Sequence, residues 1–204
     1  MIHKTVDEIS PKTLAELYNL TQDNLETMQL KLENYGESVW QQISQTMLPD
    51  DFIREFKNRV DWIWISGHYP LNEDFIREFK DKVDWGLISQ YQDLSEDFIS
   101  DYKDKVDWKW ASRYQHLSED FIREFKGKVS WKWISKYQPL SENFIREFEN
   151  NVEWDTISKY QDLSEGFIQE FKDKVNRGLI SRYQNFSEEF IRANKDKVEL
   201  MDRE

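Results

Sequence analysis

Cysteine is missing altogether from this chain. That excludes a disulfide framework, a thiolate nucleophile and cysteine-ligated zinc, and it predicts an intracellular location. Four prolines and six glycines among 204 residues are too few for a flexible linker, so one continuous body is expected. No apolar run approaches the ~20 residues of a membrane-spanning helix, and the opening MIHKTVDEIS lacks the hydrophobic segment of a signal peptide. Positive charge is also short. The 28 Lys and Arg are outnumbered by 40 Asp and Glu, and the net charge of −12 opposes general attraction to nucleic acid or an anionic membrane. Only three histidines occur, His3, His68 and His116, placed in a tail and two turns with no second ligand at metal-binding spacing. Glycine-rich phosphate loops and the nucleophile-elbow motif are absent too. These gaps predict a protein that is not an enzyme and that takes no cofactor or metal.

What the chain has instead is a block of 23 residues written repeatedly. Copies open at Leu48, Leu71, Leu94, Leu117, Leu140 and Leu163, and a truncated one opens at Phe186. The clearest reads LSEDFIREFKGKVSWKWISKYQP, 117–139. A unit this short cannot enclose a core alone, so equal copies must bury their apolar faces against one another. The expectation is an all-α fold, an α-solenoid of stacked helix-turn-helix repeats.

The columns of the repeat assign its parts. Phe121, Phe125 and Val129 step by four along one helical face while Arg123, Glu124, Lys126 and Lys128 lie between them, which predicts an amphipathic helix of about three turns. Ser118 stands at its N-cap with Glu119 and Asp120 in the first turn, and Leu117 and Ile122 have hydrophobic-staple spacing. Val106, Asp107 and Ala111 repeat that grammar for a second helix, which begins after an abrupt turn near the Val. Glu119 with Arg123, and Glu124 with Lys128, have favourable i,i+4 spacing. The serine column (Ser66, Ser89, Ser112, Ser135, Ser158, Ser181) suits close helix approach with each hydroxyl bonded back to the preceding turn. The column Trp62, Trp85, Trp108, Trp131 and Trp154 is expected in the core, thinning at Arg177 and Leu200.

Three segments follow: a diverged helical cap at 1–47, six repeats at 48–185 and a partial capping repeat at 186–204. In the cap, Leu20 to Met28 echo a first helix, and Trp40, Ile43 and Ser44 echo a second, with extra residues around Gly36. At the far end Asn194 replaces an aromatic and the chain turns polar, as terminal repeats require.

The repeat consensus LSEDFIREFKDKVDW followed by ISKYQ resembles a tandem-repeat family of large DNA viruses of amoebae, over residues 48 to about 198. The resemblance implies helical repeats and a viral source, hence the host cytoplasm or the virion. It implies no catalytic residue, cofactor or biochemical role.

One surface varies between copies. The column Trp64, Leu87, Trp110, Trp133, Thr156 and Leu179 should be half-exposed, flanked by basic residues. The candidate partner-binding residues are Lys109, Trp110, Arg113, Lys132, Trp133 and Lys136. The repeat at 117–139 has five basic and three acidic residues, against the chain's overall negative balance. Basic groups among aromatics can receive an acidic peptide, a phosphate or a nucleobase. The plainer alternative is that these cations pair with Asp and Glu of adjacent helices. The leading expectation is a non-catalytic scaffold for an unknown viral or host protein. A self-associating virion component and a single-stranded nucleic-acid binder are the alternatives, the latter disfavoured by net charge.

Overall fold

The computed structural model describes residues 36–187 and 189–190. The proposed first cap helix, Asn194, Leu200 and the polar terminus lie outside these residues. Among the described residues there are thirteen α-helices and no strand, so the fold is an all-α helical repeat of the solenoid type. Where composition suggested one body, the described residues form two compact units, divided between Asp93 and Leu94. Their boundary falls between repeats, since Leu94 opens the third copy.

The first unit contains α1 (Glu37–Ser44), α2 (Asp50–Glu55), α3 (Trp62–His68), α4 (Glu73–Glu78) and α5 (Trp85–Tyr91). The second contains α6 (Glu96–Asp101), α7 (Trp108–Tyr114), α8 (Glu119–Glu124), α9 (Trp131–Tyr137), α10 (Glu142–Glu147), α11 (Trp154–Tyr160), α12 (Glu165–Glu170) and α13 (Arg177–Tyr183). Each repeat supplies an even-numbered first helix and an odd-numbered second helix. Successive second helices pack side by side, α1, α3 and α5 in one unit and α7, α9, α11 and α13 in the other.

The starts of the helices follow the local sequence. Ser118 accepts a hydrogen bond from the Phe121 amide at 3.2 Å, and Asp107 accepts from Lys109 and Trp110 at 2.9 and 3.2 Å. Each satisfies amide groups that the first turn leaves without a carbonyl. Ser130 and Glu153, in the same position as Asp107, make no side-chain cap bond.

The first helix is shorter than its three-turn apolar stripe suggested. α8 has six residues, and Phe125 leaves the helical basin at φ −103° and ψ 26°. A tight turn follows, in which Lys128 N–H and Val129 N–H both donate to the Phe125 carbonyl, at 2.8 and 3.1 Å. Phe121, Phe125 and Val129 nevertheless stay buried together, because the turn preserves their side of the chain. The turn carries Lys128 to Asp104 of the preceding repeat at 2.9 Å, and this salt bridge corrects the expected pairing with Glu124. The Glu119–Arg123 pair forms as its spacing predicts, at 3.4 Å.

The core is a ladder of apolar columns. Ile53, Ile76, Ile99, Ile122 and Ile145 are fully buried on the first helices, and Ile65, Ile88, Ala111, Ile134 and Ile157 on the second. The tryptophan column needs correcting: Trp62, Trp85, Trp108, Trp131 and Trp154 are half-buried. Each indole N–H donates to a backbone carbonyl five residues earlier, as from Trp108 to Lys103 at 2.9 Å. The Trp108 ring covers the next repeat's Phe121 and Phe125, at centroid separations of 6.2 and 5.1 Å. A buried indole N–H needs an acceptor, and the turn that supplies one lies near solvent, so the ring bridges repeats at the edge of the core. Trp40 of the cap is the exception: 1% exposed, it packs on Phe52 and Phe56, and its buried indole N–H has no partner among the described residues.

Polar columns lock the register between repeats. Ser112 donates to the Trp108 carbonyl at 2.6 Å, the expected back-bond, and accepts the backbone N–H of Ser130 at 2.9 Å. Ser44 of the cap does both, toward Trp40 and Asp61, so the echo of a second helix at 40–44 is structural. Gln138, 3% exposed, reaches back with its amide: Nε2 donates to the Ser112 and Gln115 carbonyls and Oε1 accepts from Leu117 N–H. Gln92, Gln161 and Gln184 make the same three bonds in their own repeats. In the first copy Tyr69 replaces the glutamine; its hydroxyl accepts from Leu48 N–H at 2.9 Å and donates to the Thr46 carbonyl. Glu119 accepts the Ser141 N–H at 2.6 Å, so a capping box is split between two repeats. These columns satisfy buried backbone groups that a change of helix direction would otherwise orphan.

Candidate interaction surface

The second helices of the 94–204 unit carry two kinds of residue outward. Trp110 and Trp133 are half-buried, and Tyr114, Tyr137, Tyr160 and Tyr183 keep 42 to 46% of their surface exposed. Between them stands a cation from each repeat: Arg113, Lys136, Lys159 and Arg182. Both sets follow from one helical register. The tyrosine precedes the buried glutamine and the cation follows the buried serine, so fixing the inward residues fixes these outward.

Cations and rings alternate along α7, α9, α11 and α13. The Arg113 guanidinium lies 4.9 Å from the Tyr114 ring, 4.7 Å from Trp133 and 5.4 Å from Tyr137. Lys136 Nζ lies 4.9 Å from Tyr137 and 4.8 Å from Tyr160, and Lys159 Nζ lies 5.0 Å from Tyr160 and 4.8 Å from Tyr183. Arg182 is 5.7 Å from Tyr183. Lys109 and Lys132 extend the pattern over Trp110 and Trp133, at 4.5 and 5.3 Å. Every distance is within the ~6 Å reach of a cation–π contact.

The six residues Lys109, Trp110, Arg113, Lys132, Trp133 and Lys136 thus come together on α7 and α9. The alternative that the cations pair with carboxylates does not hold. None of the six cations on this face has a carboxylate within 4 Å among the described residues. Arg113 Nε is moreover buried without a hydrogen-bond partner. The first helices behave in the opposite way. Arg123 joins Asp120, Glu119 and the next repeat's Glu147, and Arg146 joins Glu142 and Glu170.

Titration reflects the ladder. Hydrogen bonding to Tyr137, followed by the pull of both neighbouring phenols, holds the Lys136 ammonium above its ordinary pKa. Lys159 is raised in the same way, first by Tyr160. The Tyr160 phenol is correspondingly lowered, first by its hydrogen bond with Lys159 and then by the charges of Lys136 and Lys159. Beside Lys136 an open hollow of about 650 Å³ is lined by Tyr137, Pro139, Tyr160, Glu119 and Asp162, among others. Glu119 is already engaged by Ser141 N–H and Arg123, which leaves Asp162 as the unengaged acid there.

The tyrosine column was not singled out from sequence, although Tyr-Gln recurs at every repeat end from Tyr91 to Gln184 and was the available signal. His68 ends α3 and stacks on Trp64 at 3.7 Å, a position inside a helix where a turn was expected. No group of three potential metal ligands occurs among the described residues, and no helix there is long and apolar enough to cross a membrane. Compared with family models, curated proteins and solved structures, the chain matches none.

Proposed function

We propose that this chain is a non-catalytic helical-repeat scaffold that binds a protein partner through the second-helix face of residues 94–187. One observation carries the reading: six cations stand over aromatic rings without carboxylate partners, in a chain with a large excess of acid. Rings hold a cation in place without neutralising its charge, so the ladder offers fixed positive charge and flat apolar surface together. Interfaces concentrate their energy in Trp, Tyr and Arg, which are the residues presented here. The resemblance to viral tandem repeats makes viral and host proteins the pool of partners.

The test is affinity capture from infected-cell extract with the full chain and with a variant reversing Lys109, Arg113, Lys132 and Lys136 to Glu. A partner held by the wild type should be lost by the variant while its helical circular dichroism is unchanged. Undiminished capture by the folded variant would move the site off this face.

A further inference from the structure

The spacing of the ladder restricts what can lie along it. Arg113 is 5.4 Å and Lys136 is 4.9 Å from the shared Tyr137 ring, so the two charges are at most about 10 Å apart, in keeping with the ~8–10 Å between packed helices. The same limit follows at Tyr160, 4.8 Å from Lys136 and 5.0 Å from Lys159, and at Tyr183, 4.8 Å from Lys159 and 5.7 Å from Arg182. Four cations on successive second helices therefore follow one another at no more than about 10 Å, each beside an exposed tyrosine.

A polyproline-II chain rises ~3.1 Å per residue with three residues per turn, so every third side chain returns to the same face after ~9.3 Å. A β-strand brings side chains to one face every ~6.8 Å, which puts the second out of step. Polyproline-II ligands also favour aromatic platforms, because their rigid backbone loses little entropy on docking. We infer that the partner segment is an acidic peptide in polyproline-II conformation, with carboxylates at every third residue meeting Arg113, Lys136, Lys159 and Arg182 in turn. Charge complementarity chooses the occupant: among the described residues the cations have no carboxylate of their own. Asp162, which lines the hollow beside Lys136, disfavours a uniformly acidic strand and leaves the matched register as the one that places charge on charge. This inference rests on the scaffold reading above and names the chemistry of its partner.

Fluorescence anisotropy with the full chain tests it. The probes are labelled twelve-residue Pro/Glu peptides carrying four Glu each, at every third residue or crowded at every second. A helical peptide with Glu every seventh residue and oligo(dT) complete the set. The every-third peptide should bind best, by at least about tenfold over the every-second peptide, and should weaken as salt rises. Lys136→Gln should remove most of that preference, and Arg113→Gln should do the same as a second, independent variant. Equal binding at both spacings would overturn the register. Tighter binding of the helical peptide or of oligo(dT) would overturn the polyproline-II partner. No binding by any probe would overturn the inference, and the capture experiment would then decide the scaffold reading separately.

Discussion

The two compact units are built from the same repeat, yet their outer faces differ, most plainly at the column of the ladder cations. In the first unit that column reads Gly67 and Gln90; in the second it reads Arg113, Lys136, Lys159 and Arg182. Tyr91, flanked by Gly67 and Gln90, is 58% exposed, whereas the tyrosines between cations are 42 to 46% exposed. Inside, the units agree: Gln92 and Gln138 make the same three bonds, and Ser66 and Ser112 the same two. Scaffold and surface are therefore separable in this repeat. The inward columns are held by packing and backbone hydrogen bonds, and the outward column is free to change from copy to copy.

The comparison breaks first if the repeats do not share a core. Phe121, buried against Trp108 and Phe125, should cost about 3–5 kcal/mol on truncation to Ala. Phe190, half-buried, should cost clearly less, and urea denaturation of the two variants measures the difference. Equal losses would contradict stacking in sequence order.

The claim that the units are internally equivalent is sharpened at the glutamines. Gln92→Ala and Gln138→Ala each leave two carbonyls and one N–H without their partner, at a cost of about 2–4 kcal/mol. Denaturation should show similar losses in the two units. A large inequality would mean that the seam differs between them.

Tyr69 gives the first unit an alkaline weakness of its own. Burial pushes its phenol from 10 up to about 12. Because the folded state holds the proton more tightly, this contribution is complete below pH 10 and is lost as pH rises toward 12, by on the order of 2 kcal/mol. Thermal melts across that range should show a decline that Tyr69→Gln, the residue of the other copies, abolishes. An unchanged decline in that variant would assign it to other groups.

The outer column should affect binding far more than stability. Lys136→Gln reproduces the first unit's Gln90 and should shift the melting temperature by less than about 2 °C. Arg123→Gln on the ion-paired first helix should lower it slightly, by an amount that shrinks in salt, with no effect on partner capture. A variant at Lys136 that melts much earlier would make the ladder part of the scaffold.

The smallest effect is spectroscopic. Tyr160 should form phenolate below the ordinary phenol range, and Lys159→Gln should raise it more than Lys136→Gln, since Lys159 supplies its hydrogen bond. Absorbance titration measures both. The reverse order would place Lys136 as the closer partner.

Local spacing made much of this legible. Ser118 and Asp107 marked helix starts, and the Phe121, Phe125 and Val129 column marked the core, because caps and apolar stripes depend on residues within one or two turns. Trp108 was misplaced because an aromatic recurring in every copy reads as core, and only its N–H, reaching the Lys103 carbonyl, shows why it stays at the edge. The Lys128 pairing was misread because Phe125 ends the helix one turn early. The face carrying Lys109 to Lys136 was visible as variation among copies, but its lack of carboxylate partners was not.

By itself the sequence determined the 23-residue unit, its two helices, their caps and the columns that turn inward, since each follows from helical periodicity and from the chemistry of a helix end. Only the tertiary structure decided what the polar columns do. Serine, glutamine and glutamate find partners 18 to 26 residues away, and Lys136 finds the Tyr160 ring of the next repeat. The physical reason is that spacing along one chain tells which residues share a helix face. Which neighbour that face meets depends on how far each repeat rotates and rises against the last, and that is set by the packing of the repeats within their unit.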